Sequence, residues 1–269
     1  MKNVEVIAEL GWNFMGDMTL AERMIDDAKQ AGASIAKFQY WNPKKLKSGP
    51  WDNDGRREIY EKAALDESKI RILKDMCKSA DINFLLSAFN VDDAIFIKDL
   101  GNSIIKIPSH ETHNIKLHEY AASNFEKCFV SLGAAKEEEV TCASEIYNKY
   151  SDDWVAMHCV SSYPLDISKS NLSRLKWLGS LSKQIGYSDH TESIMVPAFA
   201  VMLGATVIEK HFTSDKSLPG RDNKFALVKE EFKLMVENIE NAKMCLINHG
   251  NSLQDVEQDT YHNYRGRWG

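Results

Sequence analysis

QIGYSDHTESIMVPAFAVMLGATVIEKH, residues 184–211, reads as strand, helix, strand. Gln184–Tyr187 and Thr206–His211 are short β-rich runs, and Met195–Leu203 between them has helical length and an apolar face. Each strand closes on polar residues: Ser188, Asp189 and His190 after the first, and Glu209, Lys210 and His211 at the end of the second. The same alternation runs outward through the chain. Strands are predicted at Val4–Glu9, Ser34–Gln39, Asn83–Ser87, Ser103–Ile107, Lys127–Val130 and Trp154–Cys159. Helices are predicted at Leu20–Ala31, Glu67–Ala80, Asp92–Leu100, Ile115–Ser123, Glu137–Tyr150, Ser170–Leu178 and Glu230–Ile247. Eight strand-then-helix units fit an α/β fold of the (β/α)8 TIM-barrel type, which typically takes about 250 residues. A doubly wound open sheet is the competing architecture, but the first strand is not followed by the Gly-rich phosphate turn of that class.

The barrel is expected over residues 1–250 as a single domain, with a polar tail at 251–269. Lys+Arg 33 against Asp+Glu 39 gives a net charge of −6, which argues against nucleic acid as a partner. The longest apolar stretch, Ile194–Ile208, is interrupted by Pro197, Gly204 and Thr206, so no membrane span is expected. The opening Met1-Lys2-Asn3-Val4 carries no signal-peptide core. Five scattered cysteines, odd in number and without a Cys-x-x-Cys pair, read as free thiols in a reducing cytoplasm. Cys159 beside His158 is read as a small buried hydrophobe in preference to a nucleophile. The one long connection, Tyr40–Leu65, holds Trp41, Trp51, Tyr60, Arg56 and Arg57; loops of that length are usually functional or disordered, and the aromatics argue against disorder.

Barrel enzymes carry their chemistry at the C-terminal ends of the strands. Here those ends supply Glu9, Lys37 with Gln39, Ser87, Lys106 with Ser109 and Glu111, Ser131, His158, Ser188 with Asp189 and His190, and Glu209 to His211. Lys37 and Lys106 sit among apolar neighbours, where an ammonium needs a partner. That partner is either a structural carboxylate or an anion held jointly by both lysines, with Ser109, Ser131 and Ser188 adding hydroxyl donors suited to a phosphate. His190 and His211 end neighbouring strands and could hold a divalent ion with open positions left for substrate. Glu9 and Asp222 are further oxygen ligands or acid–base groups. His158 is either a third contributor or a residue supporting the other two.

Eight segments in order carry a family likeness. They are Ala8-Glu9-Leu10-Gly11-x-Asn13, Ala36-Lys37-Phe38-Gln39, Lys106-Ile107-Pro108-Ser109-x-Glu111, Ser131-x-Gly133, His158-Cys159-x-Ser161-x-Tyr163-Pro164, Gly186-Tyr187-Ser188-Asp189-His190-Thr191, Leu203-Gly204-Ala205-x-x-Ile208-Glu209-Lys210-His211-Phe212-Thr213, and Pro219-Gly220-x-Asp222. With them the chain resembles the catalytic barrel of sialic acid synthases. The resemblance implies condensation of phosphoenolpyruvate with an aldehyde sugar, N-acetylmannosamine-like or related. The product is a 2-keto-3-deoxy, nonulosonic-type sugar acid, with inorganic phosphate released.

The resemblance also implies roles. Glu9, Glu111 and Asp222 face the reacting centre, and Lys37, Lys106, Ser109, Ser131, Ser161 and Ser188 bind phosphoenolpyruvate. Asn13, Gln39, Tyr163 and Asp189 face the sugar, while His190 and His211 hold Mn2+ or Mg2+. The expected partners are these two small molecules, with a homo-oligomer among the expected states. Three departures concern the sugar side: Phe14 and Asn223 stand where the family commonly has histidine, and His110 where it commonly has glycine. The chain is also expected to lack the family's C-terminal antifreeze-like domain, so the mouth is either left open or covered by Tyr40–Leu65, whose alternative roles are a dimer contact or packing on the barrel wall. Two rival functions are a metal-dependent aldolase using free pyruvate and a non-catalytic barrel that binds a sugar acid.

Overall fold

The computed structural model describes residues 3–269; Met1 and Lys2, where the reading of the N-terminus begins, lie outside the described residues. Eight parallel strands close into a barrel in chain order: β1 (Glu5–Gly11), β2 (Ile35–Gln39), β3 (Asn83–Ser87), β4 (Ile104–Ile107), β5 (Lys127–Ser131), β6 (Trp154–His158), β7 (Ile185–Asp189) and β8 (Val207–His211). β8 pairs back onto β1 with Glu9 opposite His211, and β1 pairs onto β2 with Glu9 opposite Lys37. The expected TIM barrel is therefore the fold, and each strand lies within two residues of its expected bounds.

Successive side chains on a strand point to opposite faces, so each barrel strand supplies one inward and one outward series. The inward series begins with an apolar layer of Ile7, Ile35, Leu85, Phe129, Val155, Met157 and Val207. Two residues further along several of these strands, the same face carries Glu9, Lys37, Ser87, Ser131 and Glu209. The barrel thus has an apolar plug and a polar ceiling. Its outward series packs against the helices α1 (Met18–Gln30), α3 (Glu67–Ser79), α4 (Val91–Asp99), α5 (Ile115–Asn124), α6 (Glu137–Tyr150), α7 (Arg174–Leu181), α8 (Val196–Met202) and α9 (Lys229–Cys245). Leu20, Met24, Ile25 and Ala28 on α1 and Ile70, Leu73 and Cys77 on α3 form the predicted apolar faces.

Two stretches differ from the sequence reading. The helix expected at Ser170–Leu178 starts at Arg174, because Asn171 takes a left-handed conformation (φ 47°) that no α-helix continues through. The connection Tyr40–Leu65 contains structure of its own: two 3-10 turns at Pro43–Lys45 and Pro50–Asp52, then helix α2 (Arg56–Ala63). Between residues 251 and 269 the chain is exposed and forms a short helix, α10 (Gln258–Asn263). No helix among the described residues is long and apolar enough to cross a membrane.

Candidate active site

A cavity of about 1130 Å³ opens over the C-terminal ends of the strands. That is larger than the roughly 300–1,000 Å³ typical of a single small-molecule site, and is room for two substrates. Its floor is an ionic cluster. Lys37 Nζ lies 2.7 Å from Glu9 Oε2 and 3.6 Å from Glu209 Oε1, while Lys106 Nζ lies 3.6 Å from Glu209 Oε2. Ser188 Oγ donates to Glu209 Oε1 at 3.0 Å, and Lys106 Nζ donates to Ser131 Oγ at 2.6 Å. All six side chains are buried. Burial works against the charge of Lys37, but Glu209 and Glu9 overcome it and raise the lysine. Lys106 is lowered by burial and by Lys37, with Glu209 opposing. Glu209 itself is held low: the two lysines and His211 outweigh its desolvation.

Both sequence readings of the lysines therefore meet in one place. Each lysine pairs with a carboxylate, and both pair with the same one, so two cations and two hydroxyls converge beneath the cavity. Glu209 is named among the strand-end residues, but the sequence reading gives it no role there. Its parity with Val207 and His211 on one strand face would have placed it inside.

His190 and His211 stand side by side at the mouth with ring centroids 5.7 Å apart. His190 Nδ1 donates to the Val160 carbonyl at 2.7 Å, which leaves Nε2 with its lone pair. Burial, then the neighbouring His211, push His190 down to about 3, so its ring is neutral. His211 Nδ1 is buried without a hydrogen bond and lies 3.8 Å from Asp222 Oδ2. Asp222 is fixed from the other side by Trp12 Nε1 at 2.7 Å. Among the described residues no group of three or more His, Cys, Asp or Glu side chains forms a ready metal cage. Two adjacent imidazoles, one with its other nitrogen tied to a carbonyl, fit an open divalent site completed by substrate or water.

Of the remaining expected residues, Gln39, Glu111, Tyr163 and Ser109 line the cavity. Gln39 Nε2 donates to Glu9 Oε1 at 2.5 Å. Glu111 is raised by burial and bonded to Asn114. Tyr163 packs against His190 with the ring planes tilted by 41° and centroids 4.1 Å apart. Ser161 stands behind Ser109, oxygen to oxygen at 2.7 Å. Cys159 lines the floor, and burial raises its thiol, as expected of a neutral packing residue. Gly133 is required beside it, since an added Cβ would stand 2.4 Å from Cys159 Sγ.

Four expected residues do not line the cavity: Ser161, which reaches it only through Ser109, and His158, Asp189 and Asn13. His158 is fully buried on the outer face of the barrel, with Nε2 2.8 Å from the Ser170 carbonyl and its ring stacked on Tyr187. Asp189 also points outward and pairs with Lys210 at 2.6 Å. Parity is the reason: Val155, Met157 and Cys159 face in, so His158 faces out, and Ser188 facing in puts Asp189 out. Asn13 is a clamp whose Nδ2 donates to the Phe212 carbonyl at 2.8 Å. Asn223, one of the departures, works beside it by donating to the Asn13 and Pro219 carbonyls. Phe14, another, is buried edge-on against Phe38.

Sequence reading missed a wall of stacked rings along one side of the cavity. Tyr60 stacks on Trp12 (5.3 Å), Trp12 and Trp41 meet edge to face (5.8 Å), Trp41 meets Phe89 (6.2 Å), and Phe89 stacks on His110 (5.3 Å). These five rings come from four successive strand-end connections. Burial pushes His110 down to about 4, so it serves as one more uncharged ring. Asp93, also lining the cavity, is pushed up to about 6 by burial.

A closed parallel barrel with lysines, hydroxyls and an imidazole pair gathered at the strand ends has the layout of an enzyme of the TIM-barrel class. The chain belongs to the NeuB family, whose model matches residues 24–250. It is 34% identical over 258 residues to the N,N'-diacetyllegionaminic acid synthase of Legionella pneumophila, covering 90% of this chain and 72% of that enzyme. It is 33% identical to a pseudaminic acid synthase of Campylobacter jejuni, covering 97% and 79%. The crystal structure of N-acetylneuraminic acid synthetase from Leptospira borgpetersenii superposes with a TM-score of 0.89 at 34% identity, covering 98% of this chain and 93% of that one.

Proposed function

We propose that this chain joins phosphoenolpyruvate to an aldehyde sugar, giving a 2-keto-3-deoxy nonulosonic-type acid and inorganic phosphate. The observation that carries this reading is the floor of the cavity, where Lys37 and Lys106 converge with Ser131 and Ser188 beside the adjacent imidazoles of His190 and His211. Lys37, Lys106 and the Ser109, Ser131 and Ser188 hydroxyls bind the carboxylate and phosphate of phosphoenolpyruvate, and Ser161 orients Ser109. His190 and His211 would hold Mn2+ or Mg2+, which supplies Lewis-acid polarisation of the aldehyde.

Carbon 3 of phosphoenolpyruvate bonds to the aldehyde carbon, whose oxygen takes a proton. Glu111, raised by burial, is the group suited to donate it. Water then adds to carbon 2 and gives up a proton, for which Glu9, held by Lys37 and Gln39, is the acceptor. Breakage of the bond from carbon 2 to the bridging oxygen then releases phosphate, as the hydroxyl on carbon 2 becomes the keto oxygen and its proton passes to the departing phosphate. Asp222, fixed by Trp12, orients a sugar hydroxyl, with Tyr163 and Gln39 completing the sugar side. The aromatic wall supports the apolar faces of the sugar. Trp41, Trp51 and Tyr60 bring the Tyr40–Leu65 connection over the mouth as a lid, whereas Arg56 and Arg57 are tied to Asp54 and Asp52 within that connection. We place the reaction in the cytoplasm on the strength of five cysteines that are all free.

The test is a screen of aldoses with phosphoenolpyruvate and Mn2+, reading phosphate release and the keto acid formed. Phosphate release that depends on both the aldose and the ion is the expected result. Product formed from free pyruvate without phosphate would replace this reading with an aldolase.

A further inference from the structure

Lys210 and Asp189 form an ion pair that the reaction above does not use. They are directly opposite in the β7–β8 register and face outward, back to back with the inward pair Ser188 and Glu209. Both are almost fully buried. Taking two charges out of water costs several kcal/mol per ion, and an apolar pair of similar volume is often as stable. Stability alone is therefore a poor reason for the pair.

What it binds is more informative. Besides Asp189 Oδ2, Lys210 Nζ donates to the Thr191 carbonyl, to the Ser193 carbonyl at 3.1 Å, and weakly to Thr191 Oγ1 at 3.5 Å. Asp189 in turn accepts from the Thr191 backbone N–H at 2.9 Å, from Thr191 Oγ1 at 3.0 Å, and from the Tyr187 hydroxyl at 3.1 Å. Every contact beyond the pair itself, apart from Tyr187, goes to residues 191–193, the segment that leaves β7 immediately after His190. The lysine belongs to the other strand, one residue before His211.

We propose that Lys210 and Asp189 are positioning residues for the imidazole pair: they lock the backbone on both sides of His190 to β8, and so set the spacing of His190 and His211 for a divalent ion. This rests on the metal reading of those histidines. Side chains that orient metal ligands typically govern affinity by about 10- to 100-fold when removed.

The experiment measures Mn2+ affinity of the folded protein by electron paramagnetic resonance, and hydrogen exchange of residues 190–195 by mass spectrometry without metal. The variants are Lys210→Met, Asp189→Asn and the hydrogen-bonding double substitution Asp189→Asn/Lys210→Gln. Each single variant is expected to weaken Mn2+ binding by about 10- to 100-fold and to speed exchange in the segment, and the double to recover part of both. Thr191→Val, which removes only the hydroxyl bridging the pair, keeps the question open to measurement should the single variants fail to fold; it is expected to weaken Mn2+ binding several-fold. Faster exchange with parental Mn2+ affinity, or parental values of both, overturns the proposal. His190→Ala and His211→Ala in the same titration separate the two readings: if they bind Mn2+ as tightly as the parent, the metal assignment itself is wrong.

Discussion

Glu209→Gln removes one negative charge from a cluster that otherwise balances, with Lys37 and Lys106 against Glu9 and Glu209. Each lysine nitrogen is 3.6 Å from a Glu209 oxygen. At an effective dielectric of 20, one such contact corresponds to about 4–5 kcal/mol of Coulomb energy. Desolvation offsets much of that for an intact pair, but removing one partner leaves the others uncompensated, and breaking a buried pair costs about 3–5 kcal/mol. The amide keeps an acceptor for Ser188, so the loss is one of charge and not of shape. Urea unfolding at pH 7.5 should therefore show the variant less stable than the parent by about 3–5 kcal/mol. The same substitution should strengthen phosphate binding, because two cations then face one carboxylate. Inorganic phosphate should accordingly raise the unfolding midpoint of the variant more than that of the parent, following the stabilisation a ligand gives by mass action. A variant within 1 kcal/mol of the parent whose midpoint responds to phosphate as the parent's does would refute the reasoning on both counts.

Lys106→Ala removes one proposed phosphate contact; a charge-assisted hydrogen bond contributes about 1.5–3 kcal/mol, so KM for phosphoenolpyruvate should rise by about 10- to 150-fold while the aldehyde KM changes little. Steady-state kinetics with each substrate varied in turn checks this. Asp93 is raised in the folded state, to about 6 from 3.8, so it disfavours folding increasingly as pH rises from about 4 to 6 and by about 3 kcal/mol above that. Asp93→Asn should stabilise the protein by up to that amount at pH 8 and leave it unchanged at pH 3.5, as measured by urea midpoints at the two pH values. Shortening Leu46–Asp54 should depress turnover with the sugar and leave Mn2+ affinity at the parental value; full activity in the shortened chain would mean that this connection is no lid.

The order of elements was legible in the sequence because it depends on local properties. Strand alternation, helix periodicity and strand-end polarity need only neighbouring residues, and they located all eight strands to within two residues. The Asn171 left-handed turn that delays α7 and the helix within the Tyr40–Leu65 connection were not legible, being decided by a single backbone angle and by packing over the mouth. Motif order carried the family and the residues worth examining, including Lys37, Lys106, His190 and His211. It did not say which way each one points. Strand parity would have supplied part of that, since it sends His158 and Asp189 outward and Glu209 inward, but only once an inward layer is known. What remained belongs to closure of the barrel. Lys37 and Lys106 are 69 positions apart in sequence and meet on Glu209 because β2, β4 and β8 converge at one end of a closed ring. The aromatic wall draws one ring or two from each of four successive connections. Spacing along a chain cannot report such meetings, because the distances that make a carboxylate bridge two lysines are set by the whole sheet.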